Sequence, residues 1–177
     1  NWNAQLLLNI TNAPWVKNCL SPLVASSLAS YKSMQAEDQN ELIKRVTAAT
    51  LKAVAGHHDD EVSVNFAPGG ASLTGDQANL PSPSENQNKE AFTKLRGAAD
   101  ALALRRRYHD EQVHQEHMPP GPDARAVYDA LEQVRCESIG ANRMSGVSQN
   151  LTALLDERCQ ARGYAGVIDK NEIMLPD

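Results

Sequence analysis

The stretch KEAFTKLRGAADALALRRRYHDEQVHQEH, residues 89 to 117, decides how the chain is read. Phe92, Leu95, Ala99, Leu102 and Ala103 recur at intervals of three and four, the spacing of one apolar stripe on an α-helix. At about 100° per residue, His114 and His117 continue that stripe, with Asp110 within about 60° of them. MPPGPD, residues 118 to 123, then ends the helix, because proline lacks the amide the next turn needs and clashes with the carbonyl four residues back. A single helix from Lys89 to about His117 is expected, with a histidine-rich polar end.

Other segments follow the same logic. QNELIKRVTAATLKAVA, residues 39 to 55, reads as a helix with Leu42, Val46, Ala49 and Val54 sharing roughly one face and Gly56 as its stop. The acids at 37 and 38 suit its positive N-terminal end. HHDD, residues 57 to 60, marks a turn, and Val62, Val64 and Phe66 then alternate with polar neighbours as a strand does. Pro68-Gly69-Gly70 turns the chain, and ASLTGDQANLP, residues 71 to 81, returns as a second strand made irregular by Gly75-Asp76. PSPSENQN is a linker. A helix from Asp123 to Ser138 buries Ala126, Val127, Ala130, Leu131 and Val134, with Gly140 as its stop. Another begins between Ser145 and Ser148, carries Val147, Leu151, Leu154, Leu155 and Cys159, and ends at Gly163. The expected fold class is mostly α: three to four main helices with a small β-hairpin near the N-terminal side. Most of these helices have one apolar stripe, which another helix or a partner chain must cover.

Composition narrows the function classes. The 177 residues suit one domain with an appendage, and the net charge of −5 argues against a general nucleic-acid binder. Cys19, Cys136 and Cys159 are odd in number and widely spaced, which fits reduced thiols in a cytoplasmic protein better than a disulfide or zinc framework. No apolar run is long enough to span a bilayer. Residues 1 to 36 differ from the rest: Lys17 and Lys32 are their only charges, and both Trp2 and Trp15 lie there. They are read as a separate N-terminal segment, an upstream extension or an appended piece, with residues 37 to 177 forming the helical domain. LLLNI is too short, and lacks a preceding basic region, for a signal peptide.

Several chemistries have no motif here. The chain contains no G-x-x-x-x-G-K-[ST], no G-x-G-x-x-G, no G-x-S-x-G and no H-E-x-x-H. Asp110, His114 and His117 form the main candidate metal set, a carboxylate and two imidazoles on a common face that could hold a divalent ion with help from a second helix, and His57-His58 beside Asp59-Asp60 resembles a weaker site on a turn. Arg105, Arg106 and Arg107, with Arg143, are candidates for docking an anionic partner, because the planar guanidinium grips a carboxylate with two parallel hydrogen bonds. Their ordinary alternative is a solvated helix face with ion pairs to nearby acids.

The longest recognisable stretch is LRGAADALALRRRYHDEQVHQEHMPPGPDARAVYDALEQVRCESIGANRMSGVSQNL, residues 95 to 151, and ARAVYDALEQVRCESIGANRMSGV within it is its most specific part. With RVTAATLKAVAG, VNFAP and LTGDQANLP upstream, it resembles the N-terminal region of the CobT-type subunit of the aerobic, ATP-dependent cobaltochelatase over about two-thirds of the chain. The resemblance implies a non-catalytic subunit of a ligase that inserts Co2+ into the corrin ring of hydrogenobyrinic acid a,c-diamide in cobalamin biosynthesis. It implies docking with an AAA+ ATPase subunit and a large tetrapyrrole-binding subunit, an oligomer, and cytoplasmic location. Cobalt is then substrate, ATP and Mg2+ sit on the partners, and no cofactor is expected on this chain. Full-length members of that family continue through an acidic linker into a von Willebrand factor A-type domain with a D-x-S-x-S motif. None occurs before Asp177, so an N-terminal fragment or a shortened relative is expected. The alternatives are a shortened CobT-like protein, a phage-encoded one included, serving as an AAA+ partner or structural assembly protein, and a divalent-metal-binding module.

Overall fold

Small side chains fill the middle of LRGAADALAL, residues 95 to 104, and they allow neighbours to approach this helix from several sides. The computed structural model describes residues 22–56, 62–84 and 88–164. The elements run α1 (Pro22–Ala55), β1 (Ser63–Ala67), β2 (Ser72–Thr74), β3 (Gln77–Pro81), α2 (Lys89–Tyr108), α3 (Glu111–Glu116), α4 (Pro122–Arg143) and α5 (Ser145–Ala161). The fold is mostly helical with a small sheet toward the N-terminal side, the expected class. The chain divides into two compact units, Asn1–Gln39 and Asn40–Asp177. The second holds the sheet and every helix from α2 onward. The HHDD turn, residues 85–87 of the linker, the tail beyond Tyr164 and residues 1–21 lie outside the described residues.

α2 is the helix the others pack on. Asn88 caps it, its side chain accepting from the Ala91 amide at 2.7 Å, and satisfies a donor that the first turn leaves orphaned. Glu90 in the first turn and three arginines in the last suit the helix dipole. Leu95, Ala98, Ala99, Ala101, Ala103 and Leu104 are all buried, so burial runs round α2 rather than along one stripe. α4 and α5 pack against it and against each other, and the sheet covers a further side. Leu51 and Ala55 of α1 join Ala78, Leu80, Leu95 and Leu154 in the same core.

The sheet departs from the expected hairpin. Its order is β1-β3-β2. β1 pairs in parallel with β3, Val64 beside Ala78 and Phe66 beside Leu80. The hairpin is β2 with β3, and Gly75-Asp76 is its two-residue turn, with Gly75 at φ +55, where glycine fits best. What reads as an irregularity within one strand is therefore the turn between two. Pro68-Gly69-Gly70 carries the chain from β1 toward β2 instead of turning it straight back.

Helix boundaries and faces also differ. α1 begins at Pro22, not residue 39; from Leu23 to Ala55 the chain holds no proline or glycine to stop it. Its inward face is Thr47, Leu51 and Ala55, while Leu42 and Val46 are exposed. The helix after MPPGPD runs through Gly140 to Arg143, so Gly140 is not a stop. A Cβ at Gly140 would fall on the Leu104 side chain, which makes it a point of close approach between α4 and α2. α4 also turns its polar side inward: Cys136 is buried, and Val127, Leu131 and Val134 are exposed. Its expected buried face is the outer one, because the inward side pairs with charged and aromatic groups of α2 and α3. Gly56 and Gly163 do close their helices, both at positive φ.

Gly97 is the tightest point. A Cβ there would fall on the Asn150 carbonyl oxygen of α5 and lie 2.9 Å from the Leu154 Cβ. Backbone cannot yield as a flexible side chain can, so Gly97→Ala is expected to destabilise by about 1–3 kcal/mol despite alanine's better helix propensity. Gly146→Ala, with open space around the added methyl, should be neutral or stabilising by up to about 1 kcal/mol. Urea unfolding of both variants checks the contrast.

Candidate functional site

The 89–117 segment is not one helix. α2 ends at Tyr108, and His109 and Asp110 are extended, at ψ 134 and ψ 110. Asp110 is the reason for the restart: its Oδ1 accepts from the Val113 amide at 3.1 Å. An Asp in this position offers the backbone a bond that competes with helix continuation. α3 then runs for six residues, and its direction is set by this cap and not by the stripe of α2. The common helical face for Asp110, His114 and His117 is lost with the break.

Each of those three side chains has its own task. Asp110 caps α3. His114 is buried, its Nε2 is 2.7 Å from Asp129 Oδ1, and its ring stacks on Tyr128 with centroids 4.6 Å apart. His117 is exposed at the C-cap of α3, where its Nδ1–H donates to the Val113 carbonyl at 2.9 Å. His114 thus continues a buried surface, as its place in the pattern suggested, and His117 does not. Among the described residues, no group of three or more His, Cys, Asp or Glu is disposed to hold a metal ion.

The break instead assembles a cluster that the sequence did not announce. His109 lies edge-on to His114, centroids 4.8 Å apart. Its Nδ1 is 2.9 Å from Glu132 Oε1 and its Nε2 is 3.0 Å from Glu111 Oε2. Both ring nitrogens thus face carboxylates contributed by two different helices. Glu132 is further held by Arg135, whose Nε donates at 2.7 Å, and this pairing pulls its carboxyl down to about 2. Arg135 also donates to the Tyr108 carbonyl at 2.6 Å, satisfying an orphan acceptor at the end of α2. Burial pushes the Cys136 thiol up to about 11, so it stays protonated at neutral pH and is a poor nucleophile or metal ligand. The signal for this cluster is the repeat Tyr128, Glu132, Cys136 at four-residue spacing on the face of α4 opposite its apolar stripe.

The arginines are drawn into the fold. Arg105 donates to Gln133 at 3.3 Å, Arg106 pairs with Asp76 of the β2–β3 turn at 2.6 Å, and Arg107 donates to the Val54 carbonyl at 3.0 Å. Arg143 donates to the Tyr108 hydroxyl at 3.2 Å. Its guanidinium and that of Arg107 lie 5.8 and 5.6 Å from the Tyr108 ring centroid, within cation–π range. Arg105 and Arg106 line an open cleft of about 490 Å3 with Asp76, His109 and Glu111. A second ionic site, also unannounced, lies deeper. Asp100 is fully buried on α2, accepting from Asn150 Nδ2 at 2.8 Å and from Arg96 at 3.1 Å. Burial raises its carboxyl above the usual range, opposed by those two donors.

These features define a mostly helical domain whose ionisable side chains hold its helices together, with no helix among the described residues long and apolar enough to cross a membrane. The family model for cobalamin biosynthesis protein CobT matches residues 37–177, and the chain belongs to that family. Its role lies in cobalamin biosynthesis. No solved structure matches the chain.

Because its carboxyl is lowered in the fold, Glu132 contributes stability that is full above the ordinary glutamate value of about 4.3 and is lost as pH falls from there toward 2. Glu132→Gln should therefore be less stable than wild type at pH 6, with the gap closing as pH falls through that window. Unfolding midpoints in urea at pH 6, 4 and 3 measure it; a gap that does not change with pH would contradict this account.

Proposed function

We propose that the chain is the non-catalytic subunit domain of a cobaltochelatase. It would dock with an AAA+ ATPase subunit and a large tetrapyrrole-binding subunit while Co2+ enters the corrin ring of hydrogenobyrinic acid a,c-diamide. Cobalt is substrate in this reading, and ATP with Mg2+ belongs to the partner. The observation that carries it is the family match across residues 37–177, which covers every element from β1 onward. The geometry supports a docking role over a chemical one. His109, His114, Glu132, Asp100, Arg105, Arg107 and Arg143 are engaged in helix-to-helix contacts and Arg106 in one to the β2–β3 turn, and the exposed surface carries Leu42, Val46, Val127, Leu131 and Val134, residues of the kind that bind proteins. Arg105 and Arg106 at the cleft and the exposed Arg143 are the proposed contacts for an anionic partner.

Co-expression of the chain with its cognate AAA+ subunit, followed by affinity capture with ATP and Mg2+, tests this reading. A stable complex that also recruits the large subunit is the expected result. Failure to form a complex with either subunit, while the chain itself is folded by circular dichroism, would remove the chelatase assignment.

A further inference from the structure

Two exposed apolar seams face outward from this domain, and their spacing matches. On α4, Ala124, Val127, Leu131, Val134, Ser138 and Ala141 follow each other at intervals of three and four, as the core positions of a coiled coil do. Val127, Leu131 and Val134 are 60%, 63% and 56% exposed. On α1, Leu42, Val46, Ala49 and Ala53 repeat the same spacing, with Leu42 49% and Val46 45% exposed. The flank of the α4 seam carries Asp123 and Glu137; the equivalent flank of the α1 seam carries Arg45 and Lys52.

We infer that α1 of one copy packs antiparallel on α4 of a second copy. The register that alternates core positions sets Val46 against Val134, Ala49 against Leu131, Ala53 against Val127 and Leu42 against Ser138. Larger side chains then meet small ones in three of the four layers, as close packing requires. In antiparallel pairs like flanks face each other, which brings Arg45 to Glu137. On the other flank Ile43 meets Arg135, already paired with Glu132, and Thr50 meets Tyr128. Neither flank brings like charges together. Pairing α4 with a second α4 would bury Ser138 against Val127 and set Glu137 against Ala130, with no opposite charge and with the α1 seam still uncovered. The interface is head-to-tail: each copy offers one seam and accepts on the other, so copies add until a ring closes or continue as a filament.

The inference stands apart from the chelatase reading and needs only the chain itself. Light scattering of the eluting full chain over a concentration series should show masses above one copy, falling to monomer for Val46→Glu and for Leu131→Glu alone. Both positions are on the outside, so circular dichroism should be unchanged. Mixing the two monomeric variants should restore a dimer and nothing larger, since each retains the seam the other lacks. Arg45→Glu and Glu137→Arg should each weaken association at least tenfold, and the double reversal should recover most of it. A wild type monomeric at all concentrations would overturn the inference. So would a Val46→Glu variant that still dimerises through α4, or a double reversal no better than either single change.

Discussion

The close approach of α2 and α5 at Gly97 is the contact on which the domain depends. With no Cβ at 97, the Asn150 carbonyl and Leu154 sit against the α2 backbone, and the same approach brings Asn150 Nδ2 within 2.8 Å of the buried Asp100 carboxylate. A carboxylate taken out of water costs several kcal/mol unless hydrogen bonds replace the lost solvent. Asn150 from one helix and Arg96 from the turn before replace it here. Steric fit and polar satisfaction thus depend on each other: a wider spacing would leave Asp100 with Arg96 alone as well as opening a void. Gly140 against Leu104 repeats the device between α2 and α4, so the central helix is gripped on two sides by glycine contacts.

The break after Tyr108 follows from the second grip. α4 must run alongside α2 for Gly140 to reach Leu104, and the chain must double back before it. Asp110 makes the first bend by capping α3, and MPPGPD makes the second. The two helix ends left by these bends carry orphan carbonyls and amides, and the cluster is assembled around them. Arg135 answers the Tyr108 carbonyl, the Asp110 carboxylate answers the Val113 amide, and His109 fills the space between Glu111 and Glu132. The histidines are concentrated here because a planar ring with two polar nitrogens can both stack and bridge carboxylates at a crowded junction.

What could be read from the sequence was local. The helical class, the strand at Val62–Phe66, the stops at Gly56 and Gly163 and half of the buried apolar residues of α2 (Leu95, Ala99 and Ala103) follow from periodicity and glycine chemistry, which act within a few residues. The parallel pairing of β1 with β3 depends on contacts between segments well apart in sequence, and no two-residue alternation encodes it. Asp110 reads as a possible ligand, but Asp followed by Glu-Gln-Val is also a capping signal, and as a cap it splits the helix and disperses the metal set. Gly140 reads as a stop because glycine marks helix ends and close helix crossings alike. The histidine–glutamate cluster stayed hidden because its members come from α2, α3 and α4, and only the fold brings them together.

The outward apolar faces of α1 and α4 show a more general limit. An amphipathic pattern states that a helix has an apolar side; it does not state whether the same chain covers it. In α4 the inward side is Tyr128, Glu132, Cys136 and Gly140, a polar and small-residue face matched to α2 and α3, while the Val127–Leu131–Val134 side is left to solvent. A helix that satisfies its polar face internally and exposes its apolar one reverses the usual economy of a monomer, in which apolar burial drives folding and polar groups stay wet. The reversal is stable only if the inward polar groups are fully paired, as the Glu132, His109 and Arg135 contacts show. It also leaves free energy to be gained outside the domain, of the order of about 25 cal/mol for each Å2 of apolar surface covered. A chain folded in this way has its association surface specified by the same helix whose polar face specifies its core.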